Sequence, residues 1–288
     1  MKFSITIKLW FIFLLLNIVT LIFLGTYSFY QTKKAIIERT FNQLTSVRIE
    51  KKNRIERFFT DRKKEINFYL SSFHFEENIS ERIPENEETT IIINAFQADI
   101  FQFLANRKYY SSVYILINES LVFQYDSLKR NENIFFNKTN TEILSSKFNQ
   151  LNRNINKPII LELNTDTLQK IPAIFIAEKM QHMGSNEITF LFQINHDAIN
   201  SIMFEKNIYN GLGETGEVYL VGDDYLMRSA SRFKANSIYK TEVKTEGVIK
   251  AFENNPGIEI IKDYRNISVL SSFSKVEIDD LNWVVLAE

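Results

Sequence analysis

The sequence contains no cysteine, which excludes disulfide scaffolds, iron–sulfur clusters, thiolate zinc sites and cysteine nucleophiles. Its 8 glycines and 4 prolines are too few for a low-complexity chain, and 45% hydrophobic residues are too many for a disordered one. The three histidines, His74, His182 and His196, are scattered without HExxH-like spacing, so no zinc site is expected. Neither GxSxG nor the phosphate-binding GxxxxGKS/T occurs. With no coherent nucleophile–base pair and no metal set, no enzyme, metal or cofactor is expected.

A charge excess of one sign is also missing from the total. The 34 Lys+Arg oppose 35 Asp+Glu, and a net charge of −1 points away from nucleic acid. That total sums unlike parts. Residues 1–30 carry +2, residues 31–70 hold eleven basic against five acidic side chains, and residues 71–288 carry −9. The molecule is strongly polarised along its chain.

What is present begins with an uncharged run, Leu9–Tyr30 (LWFIFLLLNIVTLIFLGTYSFY). As a helix these 22 residues reach about 33 Å, matching a hydrocarbon core of about 30 Å. Trp10, Tyr27 and Tyr30 stand near its ends, where amphipathic rings favour the interface. A cleaved signal peptide would have a shorter apolar region and small residues at a cleavage site, and none is evident. The run reads as a retained single-pass anchor, 9–30, behind a short N-terminus, 1–8. The positive-inside rule weighs Lys2 and Lys8 against Lys33, Lys34, Arg39 and Arg48, and read literally places the large domain in the cytoplasm. The rule weakens for long translocated domains.

Residues 31–73 contain neither Gly nor Pro and read as one continuous helix leaving the membrane. Apolar residues recur at Ile37, Phe41, Leu44, Val47, Ile55, Phe58, Ile66 and Tyr69, while Lys51 and Arg62 interrupt the seam and argue against a strict coiled coil. The stripe packs on its own domain, with or without the partner helix of a homodimer. A polar break at Glu76–Glu88, with Pro84, leads to a second helix over 88–107. Tyr110–Asn118 and Leu121–Ser127 read as a hairpin, turning at Asn118–Glu119–Ser120. After a polar, helical stretch (131–152), strands are expected at Pro158–Leu163, Pro172–Met180 and Glu187–Ile194, then a helix over His196–Lys206. The pattern restarts at smaller scale, with strands at Glu217–Gly222, Tyr225–Ser229, Ile258–Asp263, Ser268–Ser274 and Trp283–Ala287 around a helix near Thr241–Asn254. The expected fold is α+β: an anchor continuing into a long helix, then two antiparallel-sheet modules, 74–208 and 209–288.

Gly211-Leu-Gly213-Glu-Thr-Gly216 is a literal GxGxxG. A dinucleotide site needs a strand before these glycines and a helix after them, and here that order is reversed, so a turn entering a sheet is expected. Asp223-Asp224 and Asp279-Asp280 could hold a cation, but both fall where hairpin turns are expected. The Asn-x-Ser/Thr sequons at Asn78, Asn118, Asn137 and Asn266 follow from a composition rich in these residues.

Gly211–Phe233 (GLGETGEVYLVGDDYLMRSASRF) closely resembles the block that opens the membrane-proximal module of bacterial double-Cache (dCache) sensor domains. Pro172–Met180 with Phe190–Met203 is similar to the end of the distal module and its connecting helix, and Ile258–Ser272 with Leu281–Glu288 to the end of the proximal one. The resemblance covers about residues 30–288 and implies two PAS-like modules on the outer face of a bacterial cell membrane, as in chemoreceptors, sensor kinases and cyclases. It outweighs the charge count and implies a cytoplasmic N-terminus. Three departures stand out. Ala230 occupies a place that is often acidic, the Arg-x-Trp-Tyr pattern of amino-acid sensors is absent, and Gln193 stands near where those sensors place an aspartate. Amino-acid sensing is therefore not expected. The chain stops at Glu288, about where a second membrane helix is implied, so it reads as a sensor without its output domain.

The expected function is small-molecule sensing in the distal module, lined by Tyr114, Tyr125, Asp126, Glu162, Asp166 and Gln193. Arg228 and Arg232 are expected to pair with nearby carboxylates. The alternative is a ligand-free module that positions partner subunits at the membrane.

Overall fold

The computed structural model describes residues 5–72, 100–104, 107–117, 120–126, 157–163, 173–181, 187–204, 211–278 and 281–288. One helix, α1 (Ile5–Ser71), runs unbroken from the apolar run through the charged segment after it. With no proline in the interior, the i−4 ladder is uninterrupted. Asn17 and Thr20 donate to the Phe13 and Leu16 carbonyls, each at 2.8 Å, and Thr26 to that of Ile22 at 2.9 Å, so these polar side chains are satisfied without water. The apolar run is exposed throughout and packs on none of the other described residues, in a helix long and apolar enough to cross a membrane.

Beyond the run, α1 buries Leu44, Ile55, Phe59, Ile66 and Leu70, a stripe at helical spacing. Phe58 and Tyr69, expected on that stripe, flank it half-buried. The cations that break the seam have partners within the chain. Lys51 is buried and donates its Nζ to the Ile202 carbonyl at 2.8 Å. Arg62 lies 4.4 Å from the centre of the Tyr109 ring and 2.9 Å from Glu65.

The first sheet comprises β1 (Tyr110–Ile117), β2 (Ser120–Asp126), β3 (Ile159–Leu163), β4 (Ala173–Gln181) and β5 (Glu187–Ile194), all antiparallel in the order β2-β1-β5-β4-β3. Helix α2 (His196–Met203) follows, capped by Asn195, whose side chain accepts the Asp197 amide at 2.9 Å. The second sheet orders β6 (Val218–Gly222), β9 (Leu281–Ala287), β8 (Ser268–Ile278) and β7 (Gly257–Lys262), with helix α3 (Glu246–Phe252) across one face.

Helix α1 packs on both sheets. Ile160, Ile174, Ile176, Phe190 and Phe192 of the first sheet share its core, joined by Trp283 and Val285 of the second. Alternate residues Val284 and Leu286 turn to the α3 side. Because both faces are buried, β9 reads as the nearly continuous apolar run WVVLA. This is the fold class read from the sequence.

The segment expected as a strand at Tyr225–Ser229 forms none. Its backbone turns at Gly222–Tyr225, with Tyr225 at φ 62°, and makes only isolated bridges at Met227 and Leu226. Asp224 closes the turn by accepting the Leu226 amide at 2.9 Å, the local bond that competes with a strand ladder. The GxGxxG block is a turn entering β6, with Gly213 at φ 60° and the Gly216 amide bonded to the Leu212 carbonyl at 3.0 Å. The polar break at Glu76–Glu88, most of the 88–107 helix, the 131–152 stretch, Asn118–Glu119, Asp279–Asp280, His74, His182, Asn78 and Asn137 lie outside the described residues.

Candidate functional site

Period-two alternation gives the first sheet two different faces. The face away from α1 gathers Tyr114 and Leu116 of β1, Leu191 of β5, and Ala173, Phe175 and Ala177 of β4, edged by Ile159 and Leu161 of β3. The Tyr114 hydroxyl donates to Gln193 Oε1 at 3.3 Å, and its ring meets Phe175 edge-on at 5.8 Å. Tyr114 and Phe175 are buried, and the two alanines leave the floor low between larger side chains. The result is an apolar bed with a phenol and an amide at one end.

The six residues chosen from sequence divide. Tyr114 and Gln193 meet on this face. Asp126 and Tyr125 lie on β2, in register with Ser112 and Val113 respectively. Asp166 lies outside the described residues. Glu162 points the other way, because β3 pairs it with Ile174, a core residue on the α1 side.

At the α1 side Glu162 reaches the second sheet. Its Oε1 accepts the Tyr239 hydroxyl at 2.9 Å and lies 2.5 Å from Arg228 Nε, while its Oε2 accepts the Trp283 indole N–H at 3.0 Å. Arg228, 2% exposed, also donates to Asp224 at 2.8 Å and lies over the Tyr239 ring at 4.6 Å. Burial disfavours its charge, but the hydrogen bond to Asp224 and the charge of Glu162 together raise its pKa above the ordinary value. Burial, then Glu162, pushes the Tyr239 phenol up, so it stays a donor. A Cβ at position 222 would overlap the Arg228 guanidinium, so any larger residue there has to displace that group from its carboxylates. One carboxylate on an edge strand is thus filled by donors from the other module. Arg232 donates to the Gly213 carbonyl at 2.7 Å, and its backbone amide donates to Glu217 at 3.0 Å.

Three further carboxylates were missed from sequence because most of their partners are remote in the chain. Glu65 on α1 pairs with Arg62 and Arg107 and accepts the Tyr110 hydroxyl at 3.1 Å, fixing α1 to the start of β1. Glu178 of β4 is buried and accepts Asn67 Nδ2 at 2.9 Å; burial raises its pKa and that bond partly offsets the rise. Glu288 accepts Tyr219 at 2.8 Å and Ser271 at 3.0 Å, and burial raises it to about 7.

No family model matches the chain, and no curated protein matches it by sequence. Solved structures do match in fold. The sensory domain of the Campylobacter jejuni chemoreceptor Tlp3 aligns with TM-score 0.59 at 13% identity, over 89% of this chain and 96% of that one. The periplasmic sensory domain of Tlp1 from the same organism gives TM-score 0.56 at 15% identity, over 87% and 94%. The ligand-binding domain of the Pseudomonas aeruginosa amino-acid chemoreceptor PctC, in complex with GABA, gives 0.54 at 14% identity, over 86% and 98%. A long N-terminal helix carrying two antiparallel sheets in tandem is common ground, and the chain has the double-Cache fold of bacterial chemoreceptor sensory domains.

Proposed function

We propose that the chain is the membrane-anchored, extracytoplasmic sensing part of a bacterial transmembrane receptor, and that the outer face of its first sheet binds a small molecule. The Tyr114–Gln193 pair over the Ala173–Phe175–Ala177 bed carries this reading. Buried apolar floors with a few convergent polar groups are the usual form of a ligand site. The phenol and the amide each donate and accept, and neither is charged. The pair therefore favours a neutral polar group over the ammonium of an amino acid. That the matching domain of PctC holds GABA supports a ligand of small-metabolite size.

Strand β3 relates this face to the rest of the molecule. Ile159 and Leu161 border the bed, while Glu162, the next residue along the strand, engages the second module. Displacing β3 changes the junction, and α1, packed on both sheets, carries the change to the membrane. A ligand shifts such an equilibrium only by its differential affinity for the two arrangements. A homodimer through α1 belongs to this reading, since Ile36, Ile49 and Phe68 remain exposed on that helix.

A metabolite screen by thermal shift tests the binding claim. A specific ligand at about 100 times its Kd adds about 2.7 kcal/mol of stability. Tyr114→Phe and Gln193→Ala should each weaken its binding about tenfold, the loss of one hydrogen bond, with the apo stability little changed. Failure across metabolite classes would favour the ligand-free interaction module. Protease added to intact spheroplasts should remove the domain, and full protection would overturn the extracytoplasmic placement.

A further inference from the structure

A cleft of about 510 Å³ opens where α1 passes between the two sheets. Its floor includes Phe59, Ile160 and Ile278. Lys63, Lys64 and Lys157 stand on its walls together with Glu56 and Glu277. The two carboxylates already have a cation. Lys52 Nζ lies 3.6 Å from Glu56 and 3.2 Å from Glu277, and Glu56 also accepts the Glu277 amide at 2.7 Å. Lys64 and Lys157 have no acidic partner among the described residues. The cleft thus pairs an apolar floor with unmatched positive charge.

We propose that this cleft is a second binding site, for a small organic carboxylate. Its apolar body lies along Phe59, Ile160 and Ile278, and Lys64 and Lys157 hold its charged end. An inorganic anion meets the ammonium groups but leaves the floor wet, whereas a neutral molecule covers the floor but leaves the charges unmatched. The site is independent of the outer face, because Ile160 and Leu161 lie on opposite faces of β3. Its walls come from α1, β3 and β8, so an occupant braces the helix against both sheets.

Titration of benzoate, inorganic phosphate and benzyl alcohol into the full chain in phosphatidylcholine nanodiscs tests this, read by calorimetry. Benzoate should bind, with phosphate and benzyl alcohol at least about tenfold weaker, as expected when charge and apolar contact both contribute. The double variant Lys64→Met/Lys157→Met should bind benzoate about tenfold more weakly, and Lys64→Arg/Lys157→Arg should retain it. Tyr114→Phe should leave it unchanged. Absent benzoate binding, equal binding of phosphate or benzyl alcohol, or indifference to loss of the lysines would each overturn the proposal. Loss through Tyr114→Phe would move the anion to the outer face and overturn it too.

Discussion

Glu162→Ala should destabilise the chain by about 3 kcal/mol, because it strips a buried guanidinium of one of its two carboxylates. Arg228 is 2% exposed and keeps Asp224, whose side chain is 32% exposed, as its one remaining carboxylate among the described residues. The Trp283 indole N–H and the Tyr239 hydroxyl lose their acceptor in the same step. Leaving such donors buried costs more than the bonds contributed when made. Glu162→Gln keeps one carbonyl oxygen, an acceptor for either the indole or the phenol, and should recover part of the loss. Urea unfolding of both variants, in a double-mutant cycle with Arg228→Met, measures the coupling, expected to exceed about 1 kcal/mol. An Ala variant within about 0.5 kcal/mol of the parent, the range of a surface change, would show that the junction holds nothing together. If β3 transmits ligand binding, Glu162→Gln should also leave Kd nearly unchanged while altering the response of the second module, a split that simple loss of packing does not produce.

The second large effect is on pH. Glu288 is 8% exposed, and burial raises its pKa to about 7 in the folded chain from the ordinary 4.5. Between these values the folded state binds more protons than the unfolded state, so stability falls as pH rises. It is highest below about pH 4.5, declines through about pH 7 and is flat above, with a total loss of about 3 kcal/mol from this residue. Glu178, also raised by burial, adds a decline of the same sign. Glu288→Gln removes the titration but keeps a group that can bond Tyr219 and Ser271. Denaturant midpoints from pH 5 to 8 should therefore fall less steeply in the variant, which should be the more stable protein at pH 8. An unchanged slope would show that Glu288 ionises without cost.

Much of the fold was legible because its signals are local. The 22-residue uncharged run, the Gly- and Pro-free helix after it and the strands of β4, β5 and β9 follow from length and periodicity within a short window. The turn character of Gly211–Gly216 was readable from the order of its flanking elements. Tyr225–Ser229 was misread because the short apolar run Tyr225-Leu226-Met227 has the composition of a strand, while Asp224 and the buried Arg228 draw the backbone into a turn. Of the candidate site, Tyr114 and Gln193 were chosen as polar residues on strands, and register on adjacent strands brings them together. Glu162 was chosen by the same rule and meets residues 66 or more positions downstream, which no local pattern encodes.

The sequence alone therefore determined the polarised layout of a helix long enough to span a membrane, a basic segment and an acidic α+β body, because these depend on composition and repeat. Only the tertiary structure decided which face each strand residue occupies and which remote charges meet. A one-residue change of strand register sends a side chain to the opposite face of a sheet. A buried charge is tolerated only where the fold brings its partner. Both decide whether a carboxylate such as Glu162 faces a ligand bed or joins two modules, and both are properties of the assembled molecule.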